Sequence, residues 1–334
     1  MEIPKATELE QKVFAIDNEK DFISIALEVY HFQFHNNPLY RDYCQALSRT
    51  PGNIKRFGDI PFLPISFFKS HRIRTTSFEP ELVFKSSGTG GTSTSTHDVK
   101  KTALYEKSFN TAFRLFYGDP ARFCILGLMP SYLQRGQSSL VFMVDRLIQA
   151  GRHPDSGFYL DDLDRLHHTL ERLEARRQPT LLIGVTYALL DFAAAYPQPL
   201  RHTILMETGG MKGRRKEITR EELYHTMGEA FALKEVHSEY GMTELLSQAY
   251  AINGRYQCPP WMRIQLRDET DPFGHVRPGR KPATGAINVT DLANLYSCSF
   301  IATEDIGRLY ENGSFEVLGR MDGADMRGCS LMAV

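Results

Sequence analysis

Residues 180–207, TLLIGVTYALLDFAAAYPQPLRHTILME, decide the fold class of this chain. The first six residues and residues 203–207 are short apolar runs of strand length, and residues 187–195 between them have the length and apolar spacing of a helix. Such alternation of strand and helix is typical of α/β proteins with a largely parallel sheet. The second strand ends at Gly209 and Gly210.

The alternation continues on both sides and predicts the α/β class, with mostly parallel sheets flanked by helices. A helix is predicted over residues 219–233, because Thr219 and Glu222 form a capping-box pattern. From about Trp261 short strands and turns indicate a β-rich C-terminal subdomain. We therefore expect an α/β core over residues 1–260 and a β-rich subdomain over residues 261–334. The other main predicted elements are strands at 81–85, 122–128 and 234–237 and helices at 20–48, 98–117, 138–150 and 160–177.

The composition excludes several classes of protein. Hydrophobic residues make up 42% of the 334 residues and charged residues 24%, which argues against wholesale disorder. The formal net charge of −1 gives no global basic surface for nucleic acid. We find no apolar run long enough to span a membrane and no signal-peptide pattern at the N-terminus. The five cysteines are an odd number without C-x-x-C spacing, so we expect a cytoplasmic enzyme without a disulfide framework.

A loop rich in glycine and hydroxyl groups, KSSGTGGTSTST, covers residues 85–96. Its glycines permit close approach of a ligand, and its hydroxyl and N–H groups suit anionic oxygens. The helix predicted to follow would add its N-terminal dipole. The loop lacks the lysine of a Walker A sequence and the glycine spacing of a Rossmann fingerprint. A flexible surface loop is the alternative interpretation.

A second candidate, HSEYGMTEL, covers residues 237–245, where a predicted strand ends. Strand ends of this kind are the usual ligand sites of α/β sheets. Tyr240 could stack on a base, Thr243 could bind a phosphate, and Glu244 could hold Mg²⁺. The alternative is a plain strand-to-helix turn capped by the threonine.

A third candidate is TEDIG at residues 303–307, followed by GRMD at residues 319–322. Asp305, expected at a turn, could bind two ribose hydroxyls, because an ionised carboxylate only accepts hydrogen bonds. Arg320 could contact a phosphate or the ribose. The alternative is two ordinary β-turns.

In this order the three stretches resemble the adenylate-forming superfamily, which includes acyl-CoA synthetases, adenylation domains of peptide synthetases and firefly luciferase. The resemblance implies the fold of the N-terminal domain of these enzymes, with ATP and Mg²⁺ as cofactors. It also implies activation of a carboxylate as an acyl-adenylate, with release of pyrophosphate.

A narrower resemblance, over about residues 50–334, is to the acyl-protein synthetases, the fatty-acid-activating subunit of the bacterial bioluminescence fatty acid reductase. It is carried by PFLPISFFKS at 61–70, FKSSGTG at 84–90 and RGCSL at 327–331. Phenylacetate–CoA ligases are similar more distantly. The narrower family implies that Cys329 accepts the acyl group, since a thiolate attacks a mixed anhydride readily. The alternative is an inert cysteine in a terminal strand.

The resemblance also implies roles for individual residues. Thr243 would contact the α-phosphate, Glu244 would bind Mg²⁺, and Tyr240 would line the adenine or acyl pocket. Cys329, Glu244 and Thr243 are thus the candidate catalytic residues. The remaining candidates, all for nucleotide binding, are Ser86, Ser87, Gly88, Thr89, Gly90, Gly91, Thr92, Gly209, Gly210, Gly241, Asp305 and Arg320.

Most superfamily members carry a further domain after the Gly-Arg-x-Asp motif, which brings a lysine onto the adenylate. This sequence ends shortly after Asp322, so we expect that domain to be absent. Transfer to CoA then stays open as one alternative, and a carrier-interacting module without catalysis is another. The expected partners are a carboxylic acid and either CoA or an acyl-accepting protein, without nucleic acid and without a membrane span.

Overall fold

A computed structural model of the chain describes residues 5–86, 94–129, 137–160, 162–210, 219–269, 271 and 273–321. Within these ranges one sheet of 13 strands has helices packed against it, and a separate two-stranded hairpin lies beside it. The α-helices are α1 Ala6–Val13, α2 Glu19–Asn36, α3 Pro38–Ala46, α4 Phe67–Ser70, α5 Thr102–Tyr117, α6 Ser139–Gly151, α7 Leu163–Ala175, α8 Thr186–Ala195 and α9 Arg220–Phe231. Short 3₁₀ turns occupy Phe57–Asp59 and Pro120–Arg122.

The strands follow the same order along the chain. They are β1 Leu63–Pro64, β2 Leu82–Lys85, β3 Thr96–Val99, β4 Cys124–Leu128, β5 Gly157–Phe158, β6 Thr180–Gly184, β7 Thr203–Glu207, β8 His237–Tyr240, β9 Ala249–Ile252, β10 Arg255–Gln257, β11 Met262–Arg267, β12 His275–Val276, β13 Ala283–Asp291, β14 Phe300–Leu309 and β15 Phe315–Arg320. In the large sheet they lie in the order β12-β11-β13-β14-β15-β10-β9-β8-β7-β6-β4-β5, and β2 pairs with β3.

The half of the sheet from β5 to β8 is parallel. Every residue of β4 and β6 is buried, as expected for strands covered by helices on both faces. Because parallel strands all point the same way, β6, β7 and β8 end at one edge of the sheet, at Gly184, Glu207 and Tyr240. This edge positions the candidate site.

The other half of the sheet is antiparallel and joins the parallel half through the pairing of β8 with β9. Its centre is β14, which also pairs in parallel with β1, Leu63 lying opposite Ile301. Strands on both sides of residue 260 thus belong to one continuous sheet. The boundary between residues 260 and 261 stays a prediction.

The single helix predicted over residues 20–48 is wrong, because two helices occupy this range. α2 ends at Asn36, and α3 begins at Pro38, whose missing N–H is tolerated only in a first turn. The side chain of Asn37 caps α3 by accepting from Tyr40 N at 3.0 Å. The side chain of Asn37 also donates to Ser297 O at 3.1 Å. Asn37 thus connects the N-terminal helices to the segment between β13 and β14.

Three further predictions need correction. The strand expected at residues 234–237 lies at His237–Tyr240, so Tyr240 belongs to the strand and not to the turn after it. The helix expected from residue 98 begins at Thr102, because residues 96–99 form β3. The helix therefore does not directly follow the Gly loop. Asp305 lies inside β14 and not at a turn.

No helix in the described part of the chain combines the length and the apolar character that crossing a membrane would require.

Candidate active site

Tyr240, Asp305 and Arg320 come together where the end of β8 faces β14 and β15. The hydroxyl of Tyr240 donates to Oδ2 of Asp305 at 2.9 Å. Asp305 and Arg320 lie opposite each other in the ladder of β14 and β15, and Nε of Arg320 is 3.7 Å from Oδ1 of Asp305. Arg320 also forms an ion pair with Glu304. This buried carboxylate, fixed by a tyrosine and a guanidinium, has the acceptor chemistry that ribose hydroxyls need.

The turn after β8, which contains Thr243 and Glu244, is fixed through its backbone. The carbonyl of Thr243 accepts from Nδ1 of His97 at 2.7 Å, and the carbonyl of Glu244 accepts from Nδ2 of Asn294 at 2.7 Å. The N–H of Leu246 donates to Oδ2 of Asp291 at 2.7 Å. These three bonds thus hold the turn by its main chain.

His97 is a site residue that the sequence analysis missed. It lies on β3, is fully buried, and has Nε2 3.1 Å from Oδ1 of Asn294. Burial lowers the pKa of His97. The ring thus connects the strand leaving the Gly loop with the turn at Thr243. The sequence signal that could have identified His97 was its position two residues after Ser95, a hydroxyl-bearing residue of the Gly loop.

The flanks of the Gly loop are joined at their base. Ser86 N donates to Ser95 O at 3.0 Å, and Ser95 N donates to Oγ of Ser86 at 2.9 Å. Lys85 and Thr96 are register partners in the β2–β3 hairpin. The predicted phosphate-binding residues Ser87, Gly88, Thr89, Gly90, Gly91 and Thr92 lie outside the described residues.

Gly209 and Gly210 follow β7 at the same edge of the sheet and both have positive φ, 72° and 96°. This left-handed backbone favours glycine. Their carbonyls accept from the first N–H groups of α8, and Gly209 N donates to Oε2 of Glu207 at 2.6 Å. Glu207 also accepts from Oγ1 of Thr186 at 3.0 Å and from the hydroxyl of Ser238. These bonds give the glycine pair a fixed position beside the end of β8.

Two buried carboxyl groups have raised pKa values in this region. Burial, and to a lesser extent the charge of Glu207, raises the pKa of Glu239 to about 8. Burial raises the pKa of Asp291 to about 6, although Ser247 and three backbone N–H groups that donate to it act in the opposite direction. Raised pKa values of this kind are common at functional sites.

The cysteines within the described part of the chain are poor nucleophiles. Burial raises the pKa of Cys44 to about 12 and that of Cys124 to about 11. It also raises the pKa of Cys258 to about 12 and that of buried Cys298 further. Thiols with such pKa values hold almost no thiolate at neutral pH. Cys329, the predicted acyl acceptor, lies outside the described residues.

The donor set at the turn fits a magnesium ion. Glu244 supplies a buried carboxylate at the carboxyl edge of the sheet. Mg²⁺ in nucleotide-dependent enzymes is usually bound by one or two carboxylates together with substrate phosphates. The metal-ligand role of Glu244 stays a prediction.

Replacing Asn294 with alanine is expected to loosen the turn. The carbonyl of Glu244 would lose its donor in a fully buried position, which should lower the free energy of unfolding by about 1–3 kcal/mol. Urea unfolding of the variant measures this loss. Asn110→Ala is the matched control, because the hydrogen bond that Asn110 donates among the described residues goes to Glu106 O within its own helix. Equal stability losses in the two variants would contradict a special role for Asn294.

Replacing Glu239 with glutamine should change how stability depends on pH. In the folded chain Glu239 keeps its proton up to about pH 8, whereas in the unfolded chain it releases it near its ordinary pKa of about 4.3. The wild type must therefore lose stability as the pH rises between these values. The free energy of unfolding of the variant minus that of the wild type should rise from pH 5 to pH 8 and then level off.

Urea unfolding at several pH values measures this difference. Glu311→Gln is the control, because Glu311 is exposed in the turn between β14 and β15. A difference that stays constant for Glu239→Gln over this range would show that the carboxyl ionises normally in the folded protein.

The match to a known protein family covers nearly the whole chain. The sequence model of the family described as acyl-protein synthetase, LuxE, matches residues 12–333. A long-chain-fatty-acid–luciferin-component ligase of Vibrio harveyi is 23% identical over an alignment of 371 positions, which covers 98% of this chain and 93% of that protein. A ligase of the same name from Photorhabdus luminescens is 33% identical over an alignment of 99 positions, which covers 27% of this chain and 84% of that sequence.

Solved structures share the fold. ATP-bound MatB from Rhodopseudomonas palustris matches with a TM-score of 0.53 at 17% identity, over 85% of this chain and 58% of MatB. A malonyl-CoA ligase with methylmalonyl-CoA and AMP bound matches with a TM-score of 0.52 at 17% identity, over 76% of this chain and 56% of that one. The chain spans little more than half the length of these structures. The likeness confirms the predicted α/β fold class.

Proposed function

Because this chain belongs to the acyl-protein synthetase (LuxE) family, and thereby to the adenylate-forming ligases, we propose that it activates a fatty acid with ATP and transfers the acyl group to a protein cysteine. Membership confirms the family and the class of enzyme expected from the sequence. In the first step a carboxylate oxygen attacks the α-phosphorus of ATP, and the bond to pyrophosphate breaks. In the second step a thiolate attacks the acyl carbon, a C–S bond forms, and AMP leaves.

The observation that supports this proposal is the meeting of three separate motif regions at one edge of the sheet. His97 connects the strand after the Gly loop to Thr243, and Asn294, whose amide oxygen lies 3.1 Å from the ring of His97, donates to the carbonyl of Glu244. Tyr240, at the end of the strand before that turn, bonds to Asp305. The phosphates and the ribose of a bound nucleotide, and a metal ion bound to its phosphates, would each contact residues of matching chemistry.

In this proposal each residue at this edge of the sheet has a separate role. Asp305 accepts hydrogen bonds from the ribose hydroxyls, and its position is fixed by Tyr240 and Arg320. Thr243 donates to the α-phosphate from a turn whose backbone is already fixed. Mg²⁺ held by Glu244 would neutralise charge on the phosphates. Preorganised donors and charges of this kind stabilise the transition state without having to reorganise.

Cys329 is the acceptor that the family resemblance implies. The other four cysteines of the chain have pKa values raised by burial, so they are poor acceptors at neutral pH. A thiol with an ordinary pKa of about 8.5 is a few per cent ionised at neutral pH, which suffices for attack on a mixed anhydride.

The test combines two measurements on the wild-type protein. The protein is incubated with ATP, Mg²⁺ and a series of fatty acids, pyrophosphate release is followed, and the intact mass is measured. We expect pyrophosphate release that depends on the acid, and a mass increase equal to one acyl group. A parallel sample with CoA tests the alternative acceptor, because an acyl-CoA product would replace the protein adduct. Absence of pyrophosphate release with every acid would overturn the proposal.

A further inference from the structure

One group of buried polar side chains is not used by the roles given above. Glu239 and Tyr250 lie opposite each other in the ladder of β8 and β9, so both point to the same face of the sheet, the face covered by α5. Gln248 precedes Tyr250 by two residues. We call Glu239, Gln248 and Tyr250 the acceptor cluster. All three are more than nine-tenths buried.

The acceptor cluster has hydrogen-bonding capacity that the described residues do not use. Oε1 of Gln248 and the hydroxyl of Tyr250 have no partner among them. The carboxyl of Glu239 likewise receives no hydrogen bond from the described part of the chain; burial and the charge of Glu207 are the influences that act on it. Among the described residues, the side chains of the cluster form one hydrogen bond, in which Nε2 of Gln248 donates to the hydroxyl of Tyr105 at 3.4 Å. Leaving several buried polar atoms unpaired in one place is costly, so such a group usually meets a ligand or water.

The position of the cluster connects it to the site. A side chain at Gly241 would bring its Cβ to 2.4 Å from Oε1 of Glu239 and 3.3 Å from Cγ of Gln248. The carboxyl of Glu239 thus lies directly against the backbone of Gly241. Gly241 is two residues before Thr243, so the two Cα atoms are at most about 7 Å apart.

We propose that the acceptor cluster binds a hydrogen-bond donor, a hydroxyl or an ammonium group, that the acid substrate carries close to its carboxyl group. The proposal rests on the proposed function, in which the substrate carboxylate attacks the phosphate next to Thr243. The short distance from Gly241 to Thr243 places the donor on one of the first carbons after the carboxyl carbon. The favoured substrate is therefore a fatty acid with a hydroxyl or amino group near its carboxyl group, in preference to the unsubstituted acid.

The chemistry of the cluster favours a donor over an acceptor on the ligand. Oε1 of Gln248 can only accept, whereas the protonated carboxyl of Glu239 and the hydroxyl of Tyr250 can each accept as well as donate. A site built to hydrogen-bond a substrate hydroxyl or amine discriminates strongly against the analogue without it, because the analogue leaves the buried polar groups unpaired.

The experiment compares matched pairs of acids. Pyrophosphate release is measured with octanoate, 3-hydroxyoctanoate and 3-aminooctanoate, and with benzoate and 3-hydroxybenzoate. We expect kcat/KM to be about 10- to 100-fold higher for a donor-bearing acid than for its unsubstituted partner. Glu239→Met should remove most of this preference. Glu239→Gln should keep a preference for hydroxyl and lose one for ammonium, which distinguishes the two donors.

Glu235→Gln is the control variant. It removes a more exposed carboxyl that lies two residues before the start of the same strand, β8. It should leave the preference unchanged. Thermal unfolding with each acid and ATP provides a second readout that does not need turnover. Equal kcat/KM values for both members of every pair, or a preference that survives Glu239→Met, would overturn this inference. Absence of pyrophosphate release with all acids would instead overturn the proposed function, and the thermal shifts would still decide whether the cluster binds the donor.

Discussion

Replacing Cys329 with alanine is expected to abolish the acylated protein while leaving pyrophosphate release in the first turnover intact. The reason is that the thiol acts only in the second step, where its sulfur replaces AMP on the acyl carbon. Intact-mass measurement after incubation with ATP, Mg²⁺ and a fatty acid should show no added acyl group. A stopped-time assay of pyrophosphate should show a burst of about one equivalent, because the acyl-adenylate would accumulate in the site.

Cys258→Ala is the control for this experiment. Cys258 is partly exposed, but burial of its thiol raises its pKa to about 12, so it should not carry the acyl group. The control variant should acquire the acyl group as the wild type does. An acyl group that persists on the Cys329→Ala protein would show that another residue is the acceptor.

Replacing Glu244 with glutamine is expected to lower the rate of pyrophosphate release by about 100-fold or more. The amide has the size of the carboxylate but no charge, so it should bind Mg²⁺ poorly, and removal of one preorganised electrostatic contact typically costs 10²–10³ in rate. The folded turn should survive, because Asn294 holds the carbonyl of Glu244 and not its carboxylate. The required Mg²⁺ concentration should rise in the variant.

Rates measured over a range of Mg²⁺ concentrations, together with a thermal melt, check this expectation. Glu229→Gln is the control, because the side chain of Glu229 is 72% exposed on α9. An unchanged Mg²⁺ dependence in Glu244→Gln with a lowered rate would indicate that Glu244 acts on another group.

The parallel half of the sheet could be predicted because each of its elements is a local pattern. Apolar runs of five residues separated by helical segments identify β4, β6 and β7 without knowledge of their neighbours. The break between α2 and α3 was missed, although Asn37 followed by Pro38 is a helix-start signal. The pairing of β1 with β14 was not readable, because residues near 63 and near 301 are distant in the sequence and no local pattern connects them.

The candidate site divides in the same way. Tyr240, Asp305 and Arg320 were predicted by motif and meet in the fold, although their strands had been taken for turns. His97 and Asn294 were not predicted, because their importance depends on partners that the fold brings together from distant parts of the chain. The unusual state of Glu239 likewise depends on burial, which a short motif does not reveal.

The pairing of β1 with β14 also has a consequence for synthesis on the ribosome. Leu63 lies opposite Ile301, so β1 cannot find its place until the chain has grown far beyond the parallel half. At about 5–20 residues per second, this takes about 10–50 s after residue 63 has been made. During that time the prolines and phenylalanines of residues 61–68, which end up buried or partly buried, have no sheet to pack against. We expect the exposure of this segment to end only when β14 has left the ribosome, so a chaperone that holds nascent chains would have this whole interval in which to bind it.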